Sequence, residues 1–453
     1  MIRPNPVDSP TQPCLVRRRT LLTRGAAAAA GAIAFPFVSR RNVLGANSRL
    51  NIAGIGAGGK GGVDTGFCGD LGENMVALCD VDERRAAATM RKYPDAKRFT
   101  DFRKMFDEIG KEIDAVTVST PDHTHTHPAV RAMREGKHVY VQKPLTHTVE
   151  EARLLAKIAR ETGVVTQMGN QGHSHSGSRR SVELIRAGVL GDVREIHVWT
   201  DRPIWPQGLD RPAEKQDVPH GLDWDLWLGP APERPYHSSY LPFNWRGWWD
   251  YGTGALGDMA CHNMDIAFFA LDLNTPVSIE AEASDSHTES PPNAATITWT
   301  YADGRKLVWY DGKRKPDAAI AGQRELAANG SIFVGTKDTY YVPDPWGEGL
   351  FKSGATVADH ASVPVTLPRL DGSLENHDRA HHAEWIAACK GEGKALSHFD
   401  YAGPMTEVVL LGNVALRAGA KIEWDAKAMK VTNLPEANAL IRKTYRKGWE
   451  LPS

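Results

Sequence analysis

Leu50-Asn51-Ile52-Ala53-Gly54-Ile55-Gly56-Ala57-Gly58-Gly59-Lys60-Gly61 is the stretch on which the fold turns. An apolar run of strand length leads straight into Gly56-x-Gly58-x-x-Gly61 at the opening of an expected helix, with Gly59 inside the turn. Glycines at these spacings let backbone amides approach a pyrophosphate, and the N-terminus of the following helix supplies a favourable dipole. In a chain with 42 glycines the pattern alone is weak. Its weight comes from Asp80, which ends the next apolar run, Met75 to Cys79, 24 positions after Gly56. An acid there accepts hydrogen bonds from an adenosine ribose. Strand, glycine turn, helix, strand and acid together predict a Rossmann domain for a nicotinamide dinucleotide. Asp80 repels a 2′-phosphate and favours NAD, while Arg84 and Arg85 lie close enough in sequence to accommodate one, which leaves NADP open.

Working outward, Ile113 to Val118, His138 to Val141 and Val164 to Gln167 read as further strands, and Val149 to Arg160 carries apolar residues at helical spacing. This alternation is that of a parallel sheet with crossover helices. After about Asn170 the pattern changes. Val193 to Trp199, Val277 to Ala283, Ala295 to Tyr301, Arg305 to Tyr310 and Ser331 to Gly335 are rich in β-branched and aromatic residues without regular helices between them. The expected architecture is therefore α/β, with a Rossmann domain over 47–170 and an α/β domain with an open, mostly antiparallel sheet over 171–453. The Pro- and Trp-rich segment Asp201 to Asp250 is too long for an ordinary connection, and Asn376 to Ala420 reads as helical.

With 54 basic against 55 acidic residues the chain lacks the electrostatic footprint of a nucleic-acid binder, so a small-molecule ligand is expected. Five cysteines without C-x-x-C spacing suggest neither a disulfide scaffold nor a zinc site. The first 46 residues differ in kind: Arg17-Arg18-Arg19-Thr20-Leu21-Leu22 precedes an Ala-rich, weakly apolar run. It looks like a twin-arginine export signal and predicts a periplasmic or otherwise exported protein with no stable membrane span after signal removal.

Three further stretches carry a family resemblance: Thr120-Pro121-Asp122-His123-Thr124-His125, Gly136-Lys137-His138-Val139-Tyr140-Val141-Gln142-Lys143-Pro144 and Gly257-Asp258-Met259-Ala260-Cys261-His262-Asn263-Met264-Asp265. In that order and spacing they resemble the signatures of the glucose-fructose oxidoreductase, inositol dehydrogenase and MocA family. The leader and Trp224-Asp225-Leu226-Trp227-Leu228-Gly229-Pro230 look like a secreted bacterial branch of it. The resemblance implies a catalytic constellation of Lys143, Asp258 and His262, a cofactor site that includes Thr120, Pro121, His125 and Gln142, a cis Lys143–Pro144 bond, and a homo-oligomer packed through the second sheet. The family's Glu-Lys-Pro is Gln142-Lys143-Pro144 here, which leaves open how the lysine is held.

On the residues themselves, Asp258 and His262 stand four apart in an expected helix and so share a face. An imidazole there can take a hydroxyl proton as hydride leaves, with the carboxylate orienting it and raising its basicity. His123, His125 and His127 follow a strand end and precede Pro128 at a helix start, so no metal site is expected from them. His173 and His175 are placed at the domain junction. Trp199, Trp205, Trp224, Trp227, Trp245, Trp248 and Trp249 concentrate in one region, where two or three can stack on sugar C–H faces. Arg246 stands beside them, and Trp245, Arg246 and Asn170 are the candidate substrate residues.

The expected function is an NAD(P)-dependent oxidoreductase acting on a sugar or polyol. A redox-neutral glycoside-cleaving enzyme on bound NAD shares every residue named, and a silent sugar-binding protein is disfavoured by retention of Lys143, Asp258 and His262. An exported enzyme far from free NAD is expected to keep its nucleotide bound and to restore it within each cycle.

Overall fold

The structure is a computed structural model that describes residues 49–344, 346–369 and 376–451. The export-signal segment lies outside the described residues. Six strands, β1 (Asn51–Ile55), β2 (Asn74–Cys79), β3 (Lys97–Phe99), β4 (Ala115–Val118), β5 (His138–Gln142) and β6 (Thr166–Gly169), form a parallel sheet in the order β3-β2-β1-β4-β5-β6. The order reverses between β1 and β4, and a crevice opens at the carboxyl ends of those strands. β3 is a three-residue edge strand, Lys97-Arg98-Phe99, with too little apolar character to be read from sequence. The helix Val149–Thr162 starts on a capping box of Thr148 with Glu151 and stops at Gly163 in the left-handed conformation, φ 66°.

The second sheet has nine strands: β7 (Val193–Trp199), β8 (Pro276–Ala283), β9 (Ala295–Tyr301), β10 (Lys306–Tyr310), β11 (Gly330–Gly335), β12 (Thr339–Val342), β13 (Leu350–Phe351), β14 (Ile422–Asp425) and β15 (Lys430–Val431). Their order is β13-β12-β11-β7-β10-β9-β8-β14-β15, antiparallel throughout except for β7 with β10. In β9, Ala295, Ile297, Trp299 and Tyr301 point into the core and the threonines between them point out. Trp299 donates from Nε1 to the Val408 carbonyl of the helix Phe399–Ala418, which covers that face.

The helical stretch expected over 376–420 consists of two helices, His377–Cys389 and Phe399–Ala418, with Gly391 at φ 81° after the first. Both return to the first sheet. His381 holds the Met168 carbonyl at 2.8 Å, and Met168 donates its amide to the Ser397 carbonyl at 2.9 Å. The linear boundary at 170 is thus crossed in space: the C-terminal helices cover the β6 edge that a helix within 47–170 would otherwise have to cover. The excursion 201–250 builds a small aromatic core around Trp227, Tyr240, Trp248 and Tyr251. It is tied to the loop after β2, where Glu83 donates to the Gly221 carbonyl at 2.9 Å and Asp223 to the Val81 carbonyl at 2.8 Å. No helix among the described residues is long and apolar enough to cross a membrane.

Candidate active site

A cleft of about 460 Å³ runs from Arg85 and the glycine turn to Lys143 and His262. Its first half is made of backbone. Gly56 and Gly59 have φ of 80° and 56°, which L side chains rarely adopt, and a Cβ on Gly61 would fall 1.6 Å from the Gly56 carbonyl oxygen. The turn is therefore closed to side chains, while Gly56, Gly58 and Gly59 line the cleft. Asp80 accepts from Gly58 N at 2.7 Å and from Asp82 N at 2.9 Å, one bond on each carboxylate oxygen. Burial raises its carboxyl above the ordinary value despite these bonds. Each oxygen keeps a lone pair for a ribose hydroxyl. Arg84 is turned onto Asp82 by two bonds of 2.8 and 2.7 Å. Arg85 instead lies across the glycine turn, its Nη2 2.9 Å from where a Gly59 Cβ would stand. Thr120, Pro121 and Gln142 continue the wall, and Phe102, Trp227 and Trp449 add apolar surface.

The second half is built from side chains that arrive on separate segments. Lys143 directly follows β5 and precedes a cis Lys143–Pro144 bond. Its Nζ donates to Asp258 Oδ1 at 2.7 Å and to the Asp258 carbonyl at 2.6 Å. Arg246 donates from Nε to the same Oδ1 at 3.0 Å, and its guanidinium stacks between Trp245 at 4.2 Å and Phe243 at 4.4 Å. Burial alone would raise the Asp258 carboxyl, but Lys143 and Arg246 hold it well below the usual carboxylate range. His262 lies one turn further along the helix Gly254–Asn263. Its Nδ1 is buried without a hydrogen-bond partner among the described residues, and Trp346 meets its ring edge-on at 5.9 Å. Burial, then the charge of Lys143, pushes His262 down to about 3, so it is neutral.

This corrects one expectation: Asp258 is not the orienting partner of His262. Two cations compete for the carboxylate, and a charge-assisted bond to either is stronger than one to a neutral imidazole. Asp258 holds Lys143 instead, which answers how the lysine is fixed without a Glu at 142. Gln142 donates from Nε2 to the buried Asp64 at 2.9 Å.

Two other expectations are revised. Asn170 is fully buried, giving its amide to Asp265 at 2.8 Å and receiving Ser397 Oγ at 2.6 Å, so it braces the domain junction and lines no part of the cleft. His173 joins the same node through Asp265 at 3.0 Å, and His175 caps the helix Ser176–Arg186. His125 is buried behind the cleft wall, its ring nitrogens on the Pro144 and Thr120 carbonyls at 2.9 and 2.8 Å. It ties the Thr120 and Pro144 segments together and does not line the cleft. His123 and His127 are likewise spent on backbone carbonyls of Tyr251, Trp227 and Trp449. Of the seven tryptophans singled out, Trp227 and Trp245 line the cleft. Trp199 lies in the sheet core, and Trp248 packs inside the excursion.

Sequence reasoning passed over Asp64, Gln171, Trp346 and Trp449. Gln171 lines the cleft, its Nε2 buried. Trp346 is admitted by Gly172, where a Cβ would stand 1.9 Å from its ring. Only Asp64 had a local signal, its spacing of four from Lys60, whose ammonium lies 3.2 Å away.

Residues 49–170 match the description "Oxidoreductase family, NAD-binding Rossmann fold", and residues 196–343 match "Oxidoreductase family, C-terminal alpha/beta domain". The chain belongs to the Gfo/Idh/MocA oxidoreductase family. Its first domain is an NAD-binding Rossmann domain, and the glycine turn with Asp80 fits that nucleotide. Among curated relatives, 1,5-anhydro-D-fructose reductase of Ensifer adhaerens is 26% identical over 44% of this chain and 50% of its own length. The scyllo-inositol 2-dehydrogenase (NAD(+)) of Bacillus subtilis is 29% identical over 31% of this chain and 37% of its own. The chain spans about half the length, or less, of such curated relatives. The fold is shared with the WlbA dehydrogenase from Bordetella pertussis in complex with NADH and UDP-GlcNAcA, at TM-score 0.56 and 16% identity over 83% of this chain and 99% of that one. It is shared too with the aldose-aldose oxidoreductase from Caulobacter crescentus complexed with glycerol, at TM-score 0.53 and 16% identity over 83% and 100%.

Proposed function

We propose that this Gfo/Idh/MocA protein transfers hydride between a sugar or polyol CH–OH group, or the corresponding carbonyl, and a tightly held NAD. The carrying observation is a buried, neutral His262 near a Lys143 fixed by Asp258, in the same cleft as the glycine turn. NAD supplies the acceptor for the hydride that leaves the carbinol carbon. Lys143 holds the substrate oxygen with a charged donor, and His262 takes the hydroxyl proton. An imidazole held near 3 is a weak base, but a hydroxyl losing hydride becomes a protonated carbonyl, which is far more acidic than an alcohol, so proton transfer to it runs downhill. In reduction the same imidazolium returns the proton to the oxygen. Trp245 offers a ring to sugar C–H faces and Arg246 a guanidinium to hydroxyls. The test is a panel of free sugars, polyols and glycosides given to the purified protein while nucleotide absorbance and product are followed together. Absorbance change with no member of the panel, by protein that binds NADH, would overturn the sugar reading.

The tight hold rests on the excursion and the C-terminal tail, both of which lie against the cleft: Leu226 and Trp227 from one, Trp449 from the other. Trp449 is itself fastened by the Arg103 guanidinium at 4.2 Å. Dialysed, nucleotide-loaded protein should turn over two sugars with no NAD added; strict dependence on added nucleotide would refute a nonexchanging cofactor. Export follows as a proposal from Arg18-Arg19 and the Ala-rich run: changing both arginines to lysine should retain a fused reporter in the cytoplasm. Homo-oligomer formation through the second sheet is proposed from the family resemblance, and light scattering of the purified protein at the monomer mass would refute it.

A further inference from the structure

The family's Glu-Lys-Pro is Gln142-Lys143-Pro144 in this chain, and a carboxylate nevertheless stands beside residue 142. It belongs to Asp64, fully buried on the helix Lys60–Asp70 that follows the glycine turn. Its Oδ2 accepts from Gln142 Nε2 at 2.9 Å and from Ser119 Oγ at 2.7 Å. Its Oδ1 lies 3.2 Å from Lys60 Nζ and 3.3 Å from His382 Nε2. Ser119 leads into Thr120-Pro121 after β4, and Gln142 leads into Lys143 at the end of β5. One carboxylate thus fastens the ends of two adjacent strands and the helix that receives the nucleotide. It also restrains Lys60, a cation of the cleft wall whose other partner is Asp378 at 3.0 Å.

We propose that Asp64 is a positioning residue of the nucleotide site and that Asp64 and Gln142 form an exchangeable pair, in which carboxylate and amide can trade places. The amide at 142 is what Asp64 requires. A carboxylate there would set two acceptors within hydrogen-bond distance, away from water, and the pair would have to take up a proton to relieve the repulsion. A Cβ on Gly169 would lie 2.8 Å from Gln142 Cδ, so the side chain at 142 lies over β6 in the space that glycine leaves. The ionisable groups around Asp64 are Lys60 and Cys68 on its own helix, Tyr140 on β5, and Asp378 and His382 on the helix His377–Cys389, with His382 stacked on Tyr140 at 4.4 Å. The wild-type protein measured at both pH values supplies whatever pH dependence these neighbours contribute.

The experiment is fluorescence titration of NADH into full-length wild type, Gln142→Glu, Asp64→Asn and the double variant, at pH 6 and pH 8, with no sugar present. The outcome is therefore independent of whether the substrate is a sugar. Gln142→Glu should weaken NADH binding by about tenfold or more at pH 8, and part of that loss should be regained at pH 6, where the paired carboxylates hold a proton. Asp64→Asn should weaken binding by a similar factor at both pH values. The double variant, with amide and carboxylate exchanged, should return to within about threefold of wild type at both. A double variant no better than Gln142→Glu, or an equal loss by Gln142→Glu at both pH values, would overturn the pair. If Gln142→Glu does not accumulate as folded protein, recovery of folded, NADH-binding double variant supports the exchange, and failure of both variants to fold overturns it.

Discussion

The two ends of the cleft are made differently. At the glycine turn, six consecutive residues and one acid from the next strand do the work, mostly through backbone whose shape glycine alone permits. At the opposite end Lys143, Arg246, Asp258 and His262 come from three stretches of chain, and their placement depends on ionic contacts across domains. A site of backbone is set by local conformation, whereas a site of side chains is set by whichever partners win. Asp258 shows the second case, having two cations within reach and forming no hydrogen bond with the imidazole one turn away.

This contrast breaks most sharply in the chemistry. Lys143→Met and His262→Ala should each lower turnover on the true substrate by roughly two orders of magnitude or more while NADH still binds. Steady-state rates set beside fluorescence titration check this, and loss of NADH binding in either variant would erase the division between the two ends. Gly61→Ala should do the reverse. Its Cβ would collide with the Gly56 carbonyl, so NADH affinity should fall by at least about tenfold as the turn opens. A variant that binds NADH normally would show that the turn is not the nucleotide's seat.

Arg246→Ala should cost less, about tenfold in kcat/KM and mainly in KM, because Lys143 still fixes Asp258 while the guanidinium beside Trp245 is gone. An effect confined to kcat would move Arg246 from substrate binding to the chemistry. The last expected effect is on stability. Burial holds His123 and His262 down to about 3 and His127 to about 4. Such groups are neutral in the folded chain but take up protons in the unfolded chain below about 6.5. Folding stability should therefore fall as pH drops from about 6.5 towards 4, by up to about 1.4 kcal/mol per pH unit for each such group. Thermal unfolding followed across that range checks it, and a flat profile would mean that these imidazoles protonate in place.

The strands β1, β2, β4, β5 and β6 were legible because parallel strands covered on both faces are continuous apolar runs, and the glycine fingerprint could be read because it is contiguous. β3, β12 to β15 and the break at Gly391 were not, since short edge strands carry little pattern and one glycine does not announce its φ. In the site, Lys143, Asp258 and His262 were found through motifs, yet their wiring was not. Asn170 was misplaced because a strand end reads alike whether it opens on a cleft or on a packed junction. By itself, then, the sequence determined the Rossmann architecture, the nucleotide turn with Asp80, and the candidate catalytic side chains, all of them matters of local conformation or of contiguous motif. Tertiary structure alone decided that Asp258 serves Lys143, that Asp64 answers Gln142 across 78 residues, and that Trp346 and Trp449 reach the cleft region. Those contacts join segments far apart in the chain, and the strength of each depends on burial and on competing charges that exist only once the chain has folded.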